Sequence, residues 1–214
     1  TIDYGPCAFM DVYHPETVVS AIAQHGRYAY QNQPRIAVWN MAQFATSLIP
    51  LMPDQDKAVE EFTEIINAFP THYDAEWLRV FAAKIGISDP VEDYRALIED
   101  LLRIMQDCGS DFTVAFSYFN DKDAKDHFTD QAAFATWHAA WRARNPDAAL
   151  MAQVNPQIIP RNHQVEAAIK AGQDGDFAPF HRLLAAVTTP YVADAEFSAA
   201  PTLGQTVRRT FCGT

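Results

Sequence analysis

The chain has 214 residues, 49% of them hydrophobic, enough to bury one substantial core or two small ones. Its 16 Lys and Arg stand against 27 Asp and Glu, and the resulting net charge of −11 argues against a polyanion-binding surface and so against nucleic acid as a partner. No run approaches the ~20 apolar residues that a bilayer span needs, no basic-then-apolar signal pattern opens the chain, and its 3 cysteines form neither a metal ribbon nor a disulfide-dense scaffold.

The opening TIDYGPCAFMD, from Thr1 to Asp11, begins extended and turns at Gly5-Pro6. From Pro34 a helical stripe of Val38, Met41, Ala45 and Leu48 runs until Pro50 and Pro53 stop it. Asp54 is placed to cap a helix through Phe69 with Val59, Phe62, Ile65, Ile66 and Phe69 on one face, and a separate helix is expected from His72 to Ile85, ending at Gly86. Ser88-Asp89-Pro90 reads as a cap and first-turn proline for a helix over Val91 to Met105. Asp111 is placed to cap a short apolar helix, and a charged, mobile-looking connector, NDKDAKDHFTD, leads to a helix with Phe134, Trp137, His138 and Trp141 on one side. Beyond Pro146 come a short helix, an Asn155-Pro156 turn, a capped helix at HQVEAAIKAG and a last helix at FAPFHRLLAAV. Only IDY and VRRTF look extended, so the class is all-α with irregular ends. Three parts are expected: a turn-and-loop region over 1–33, a helical body over 34–190 and an irregular tail over 191–214.

The chemistry-bearing residues are few. Asp3-Tyr4-Gly5 has the form of the protein-kinase D-F-G element, whose acid binds the nucleotide's Mg²⁺, and it equally fits a turn whose acid caps its own loop. His14, His25, His72, His127, His138, His163 and His181 are scattered without ligand spacing, and His138 reads as a satisfied core histidine between two tryptophans. No serine sits in a G-x-S-x-G elbow. Cys108 reads as a small half-buried thiol near a helix end. In HGRYAYQNQP, His25, Arg27, Tyr28 and Tyr30 could donate to phosphate or peptide, and the reading set beside that, and favoured, is a packed loop that bonds the following helix start.

Three stretches together, TIDYGPCAFMD at the start, HGRYAYQNQP with Trp39-Asn40 after it, and Asn155-Pro156 leading to Arg161-Asn162, resemble the selenoprotein O family of protein adenylyltransferases. That resemblance implies a kinase-like fold, of which this chain would form the C-terminal part of the C-lobe plus a family-specific helical extension. It implies ATP as substrate, Mg²⁺ or Mn²⁺ as metal, and AMP transfer to Ser, Thr or Tyr hydroxyls of protein partners, in a cytoplasmic bacterial setting away from membranes. Asp3 is then the metal-ligating acid, since carboxylate oxygen suits a hard divalent cation. The family's catalytic acid and its ATP-gripping residues lie ahead of the DYG turn, so the base is expected upstream of Thr1 and no catalytic or nucleotide-binding residue is expected within this chain. The chain is expected to be a piece of a longer protein and inactive alone. The resemblance also implies a redox pairing of Cys7 with Cys212, worth about 4–5 kcal/mol of unfolded-state restriction. Two unrelated thiols remain the alternative to that pairing. A free-standing all-α interaction module is the competing reading of the whole chain, with the DYG turn purely structural.

Overall fold

The computed structural model describes residues 8–19, 25–119, 121 and 124–207. Within them the protein is all-α: α1 Gln33–Leu48, α2 Gln55–Lys84, α3 Asp93–Cys108, α4 Phe112–Tyr118, α5 Gln131–Arg142, α6 Ala148–Val154, α7 Asn162–Gln173 and α8 Ala178–Val187. The extended pairing among these residues is a single antiparallel bridge between Val12 and Asp111.

Four of these helices start where an Asp side chain accepts a bond from an otherwise unpaired first-turn amide. Asp54 takes Lys57 N, Asp111 takes Val114 N, Asp130 takes Ala133 N and Asp147 takes both Ala149 N and Leu150 N. α3 ends on Gly109 at φ 62°, a left-handed position that glycine occupies without penalty and that lets Ser110 N reach back to Met105 O.

Three sequence expectations are corrected. The two helices foreseen on either side of Pro70 are one, α2, of 30 residues. Pro70 forfeits a single amide bond on the solvent face, and Phe69 and Tyr73 stack across it with centroids 6.1 Å apart. On its first half Val59 and Ile65 are exposed, although Phe62, Ile66 and Phe69 are partly covered. α3 begins at Asp93, later than the Ser-Asp-Pro cap suggested: Tyr94 N bonds Val91 O and Arg95 pairs with Glu92, so the first turn closes beyond the proline. The connector before α5 is anchored, because Phe128 is buried and stacks on Phe134 at 4.0 Å and Ala124 is buried in the same core.

The main core lies between the C-terminal half of α2 and α3, α4 and α5. Both buried tryptophans of α5 satisfy their indole N–H on a neighbouring backbone: Trp141 donates to Ile85 O and Trp137 to Leu97 O, each at 2.8 Å. Fully burying such side chains contributes a few kcal/mol each, so this cluster dominates stability. α1 has no buried residue and packs mainly against α2. A second, smaller core joins Ile158, Ala168 and Leu183 to Phe197, which arrives from the region expected to be an irregular tail.

Candidate functional site

The segment that follows the DYG turn is stitched down at nearly every other residue. Asn162 Nδ2 donates to Phe9 O at 2.9 Å, Phe112 N to Asp11 O at 2.8 Å and Tyr13 N to Ser110 O at 2.9 Å. Further along, Gln31 N donates to Pro15 O at 2.9 Å and Tyr30 N to Thr17 O at 3.0 Å. The loop that supplies the last two bonds holds its own shape: Asn32 Nδ2 donates to Gly26 O, Gln33 Nε2 donates to Tyr28 O, and Arg27 stacks its guanidinium 4.7 Å from the Trp39 ring. GRYAYQNQP is therefore a structural brace for residues 15–17.

At the centre of the stitching sits Arg161, with no exposed surface. Its Nη1 donates to Asp11 at 2.7 Å and to Asp111 at 2.8 Å, and its Nη2 donates to Asp111 at 3.2 Å. Burial works against this charge, but the hydrogen bonds and charges of Asp111 and then Asp11 more than offset it, holding the guanidinium above its ordinary value. The planar fork of an arginine serves two carboxylates in a fixed geometry, which a lysine ammonium does not. This also explains why α7 lacks the side-chain cap that the sequence suggested: Arg161 stands at its N-cap, and its side chain is committed elsewhere.

A second constellation lies across α4. Asn155 makes a reciprocal pair with Lys84, donating Nδ2 to Lys84 O at 2.7 Å and accepting from Lys84 Nζ on Oδ1 at 3.0 Å. The ammonium lies 4.8 Å from the Phe116 ring centroid and 5.6 Å from that of Phe112. Among the described residues no carboxylate is within ion-pair distance of it. Burial alone pushes Lys84 down to about 8. It borders a cavity of about 660 Å³ whose other walls include Met10, Tyr30, Phe69, Tyr73 and Pro156. Burial, then Tyr13 and Tyr73, push Tyr30 up to about 12, so its phenol stays neutral.

Asp3, Cys7 and Cys212 lie outside the described residues, and so does Thr1, ahead of which the base is expected. Cys108 is a half-buried free thiol whose sulfur accepts from Asp130 N at 3.3 Å. His138 bonds Phe119 O at 3.0 Å within the α5 aromatic cluster. Among the described residues no group of three or more acidic, His or Cys side chains is placed to hold a metal. Asp11 and Asp111 do converge, but on Arg161. Arg161 and Asn162 came forward from the sequence only through their motif, and their partners did not. Lys84 was missed, although its register was a usable signal: it continues the apolar face of Trp77 and Phe81, where a lysine costs energy.

The family described as "Protein adenylyltransferase SelO" matches residues 1–188. The chain is 53% identical over 220 aligned positions to the protein nucleotidyltransferase YdiU of Roseobacter denitrificans and 47% identical over 222 to that of Ruegeria sp. strain TM1040. It is 44% identical over 225 positions to its namesake in Mycobacterium sp. strain KMS. In each case the whole of this chain aligns, against 47% of the relative. The chain thus spans about half the length of the curated relatives it matches.

Proposed function

The chain belongs to the protein adenylyltransferase SelO family, and from that premise we propose that it supplies the metal-binding turn, the activation segment and the helical body of an enzyme that moves AMP from ATP to protein hydroxyls. The observation that supports this reading is the stitching of residues 9–17, because much of it is made by two of the three stretches that carry the family resemblance. Arg161-Asn162 grips the segment at Phe9 and Asp11, and the GRYAYQNQP loop grips it at Pro15 and Thr17. A segment held this way is itself fixed in place, and fixed placement is what positioning catalysis requires.

In the reaction, the acceptor oxygen of a Ser, Thr or Tyr forms a bond to the α-phosphorus of ATP and the bond from that phosphorus to the bridging oxygen breaks, releasing pyrophosphate. The acceptor's proton goes to a base proposed to lie upstream of Thr1. Asp3 is the proposed carboxylate ligand for Mg²⁺ or Mn²⁺, which when bound neutralises phosphate charge. One acid supplies neither the phosphate clamp nor the base, so the chain by itself is expected to transfer nothing.

Cys7 and Cys212 are the proposed redox pair, giving up two protons and two electrons to a thiol-exchange oxidant. Support comes from the neighbours of each: Asp11 and Val12 share the wall of a cavity of about 320 Å³ with Leu203 and Thr206. Cys7 is four residues of chain from Asp11 and Cys212 six from Thr206, covalent reaches of at most ~14 Å and ~22 Å. Peptide mapping without reductant is expected to recover a Cys7–Cys212 species; recovery of separate thiols under oxidant rejects the pair. A cytoplasmic setting belongs to the same reading; no helix of the described residues is long and apolar enough to cross a membrane.

The test of activity joins this chain to the half of the Roseobacter denitrificans relative that it does not cover. With ATP labelled at the α-phosphate, label is expected on protein, lost in Asp3→Ala and absent for the chain alone. Transfer of γ-label instead would reject adenylyl transfer, and no transfer of either would leave a helical interaction module.

A further inference from the structure

We propose that the cavity between residues 8–10, α2 and α4 is a specificity pocket that takes an acidic side chain, flanked by a bulky apolar one, from the acceptor polypeptide, with Lys84 as its ion-pair partner. The inference deepens the adenylyl-transfer reading and rests on it for the identity of the acceptor.

Three observations converge on this pocket. The first is a cation left short of partners. A lysine ammonium has three donors, and in Lys84 the described protein satisfies one, with Asn155 Oδ1, while the Phe116 face lies alongside. Lys84 is partly buried, and holding a charge there without an anion is unfavourable, so the burial lowers its proton affinity. Arg161, held by the N-cap Asp111 of the same helix α4, shows that this fold places two carboxylates around a buried cation where it needs a closed pair. A cation beside a cavity of about 660 Å³ without such company has room for an anion from outside.

The second observation is the wall chemistry. Phe69, Tyr73, Phe112, Phe116 and Pro156 give the cavity a largely apolar wall rich in aromatic rings. A free inorganic anion would gain its charge contact and leave those rings wet. A carboxylate on a short aliphatic stem with an apolar neighbour satisfies both, by pairing with Nζ and by covering the rings. The third is position. Ala8, Phe9 and Met10 line the cavity, and Ala8 is five residues along the chain from Asp3, a covalent reach of at most ~18 Å. That is the span of a few residues of extended peptide, so a polypeptide delivering its hydroxyl near Asp3 can seat a nearby side chain against Lys84.

The experiment pans a displayed library of random short peptides on the 214-residue chain, without ATP, and then measures one selected peptide by fluorescence anisotropy. Selected sequences are expected to place Asp or Glu next to an aromatic or long aliphatic residue. Changing that acid to its amide should weaken binding about tenfold, the ordinary scale for one charge-assisted contact. The same change should be without effect on Lys84→Met and should keep its effect on Lys84→Arg. Selection indifferent to acids, an acid preference that survives Lys84→Met, or displacement of the peptide by millimolar inorganic phosphate would each overturn the proposal. The acid-to-amide comparison is read on the unaltered chain, so it stands whether or not the variants fold. Binding is scored without nucleotide, so a chain that fails to transfer AMP can still pass this test, and an active one can fail it.

Discussion

Arg161 and Lys84 are two cations served by one short helix, the first fully buried and the second partly, and the structure treats them in opposite ways. Arg161 meets Asp11 and Asp111, and those carboxylates raise its proton affinity; Lys84 meets an amide oxygen and two aromatic faces, and burial lowers its own to about 8. The first arrangement is closed at its charged end: the guanidinium's two terminal nitrogens meet two carboxylates, although its Nε is buried without a partner, and removing the cation leaves both acids stranded. The second is open, since the protein accepts an energetic penalty at Lys84 that it could have avoided with a methionine. Closed pairs hold parts together, and open ones leave a valence for something else.

Arg161→Leu puts the heaviest load on this contrast. It strands two buried carboxylates and is expected to destabilise the chain by about 3–5 kcal/mol, with a lower urea midpoint. Adding Asp11→Asn to it should recover part of that loss, whereas the same Asp11→Asn alone should destabilise. Gly86→Ala comes next, because it acts on the frame of the Lys84–Asn155 pair. Gly86 has φ +79°, and a Cβ there would stand 2.8 Å from Asp147 N, at the start of the helix that leads to Asn155. The unfavourable φ and the collision together are expected to cost roughly 3 kcal/mol, read as a drop in melting temperature.

The pH dependence separates the two cations directly. The folded pKa of Lys84 is depressed below the ordinary 10.5, so the unfolded chain holds the extra proton between about 8 and 10.5. Stability due to this residue is therefore at its minimum below pH 8 and climbs as pH rises, by about 2 kcal/mol between pH 7 and 10. The neighbouring Tyr30, raised to about 12, adds to that climb only above pH 10 in the opposite sense, because its folded state then keeps a proton that the unfolded chain releases. The difference in unfolding free energy between the wild type and Lys84→Met isolates the lysine: the variant should be the more stable at pH 7, with the gap closing by pH 10. A constant gap would show that burial exacts no charge penalty at Lys84. The smallest effect is expected from Asn162→Ala, which removes the single bond to Phe9 O and should cost about 1 kcal/mol by urea denaturation.

Much of the architecture could be read from local chemistry. Asp54, Asp111, Asp130 and Asp147 stand before apolar runs and cap the helices they announce, and the α5 stripe of Phe134, Trp137 and Trp141 is buried at helical spacing. Pro70 misled because its effect depends on which way its missing amide faces, and a sequence does not display that without the packing of α1 on α2. The site was less legible. Asp11 and Arg161 are separated by 150 positions, and no spacing rule links residues that far apart. Asp111 could be read as a cap, which it is, but a carboxylate has lone pairs for two tasks and its second is visible only in three dimensions. Asp3, the Cys7 and Cys212 pair and the base expected ahead of Thr1 rest on motif resemblance, and those named positions lie outside the described region.

That double duty of Asp111 ties the two cations mechanically. The same carboxyl group both starts α4 and grips Arg161, and the first and second turns of α4 carry Phe112 and Phe116, the rings beneath Lys84. A pull on the chain beside Val12 would loosen the helix start and tilt the aromatic floor beneath the ammonium. News of how residues 11 and 12 lie would thus arrive at the lysine through one turn of backbone, with no hinge or domain movement in between.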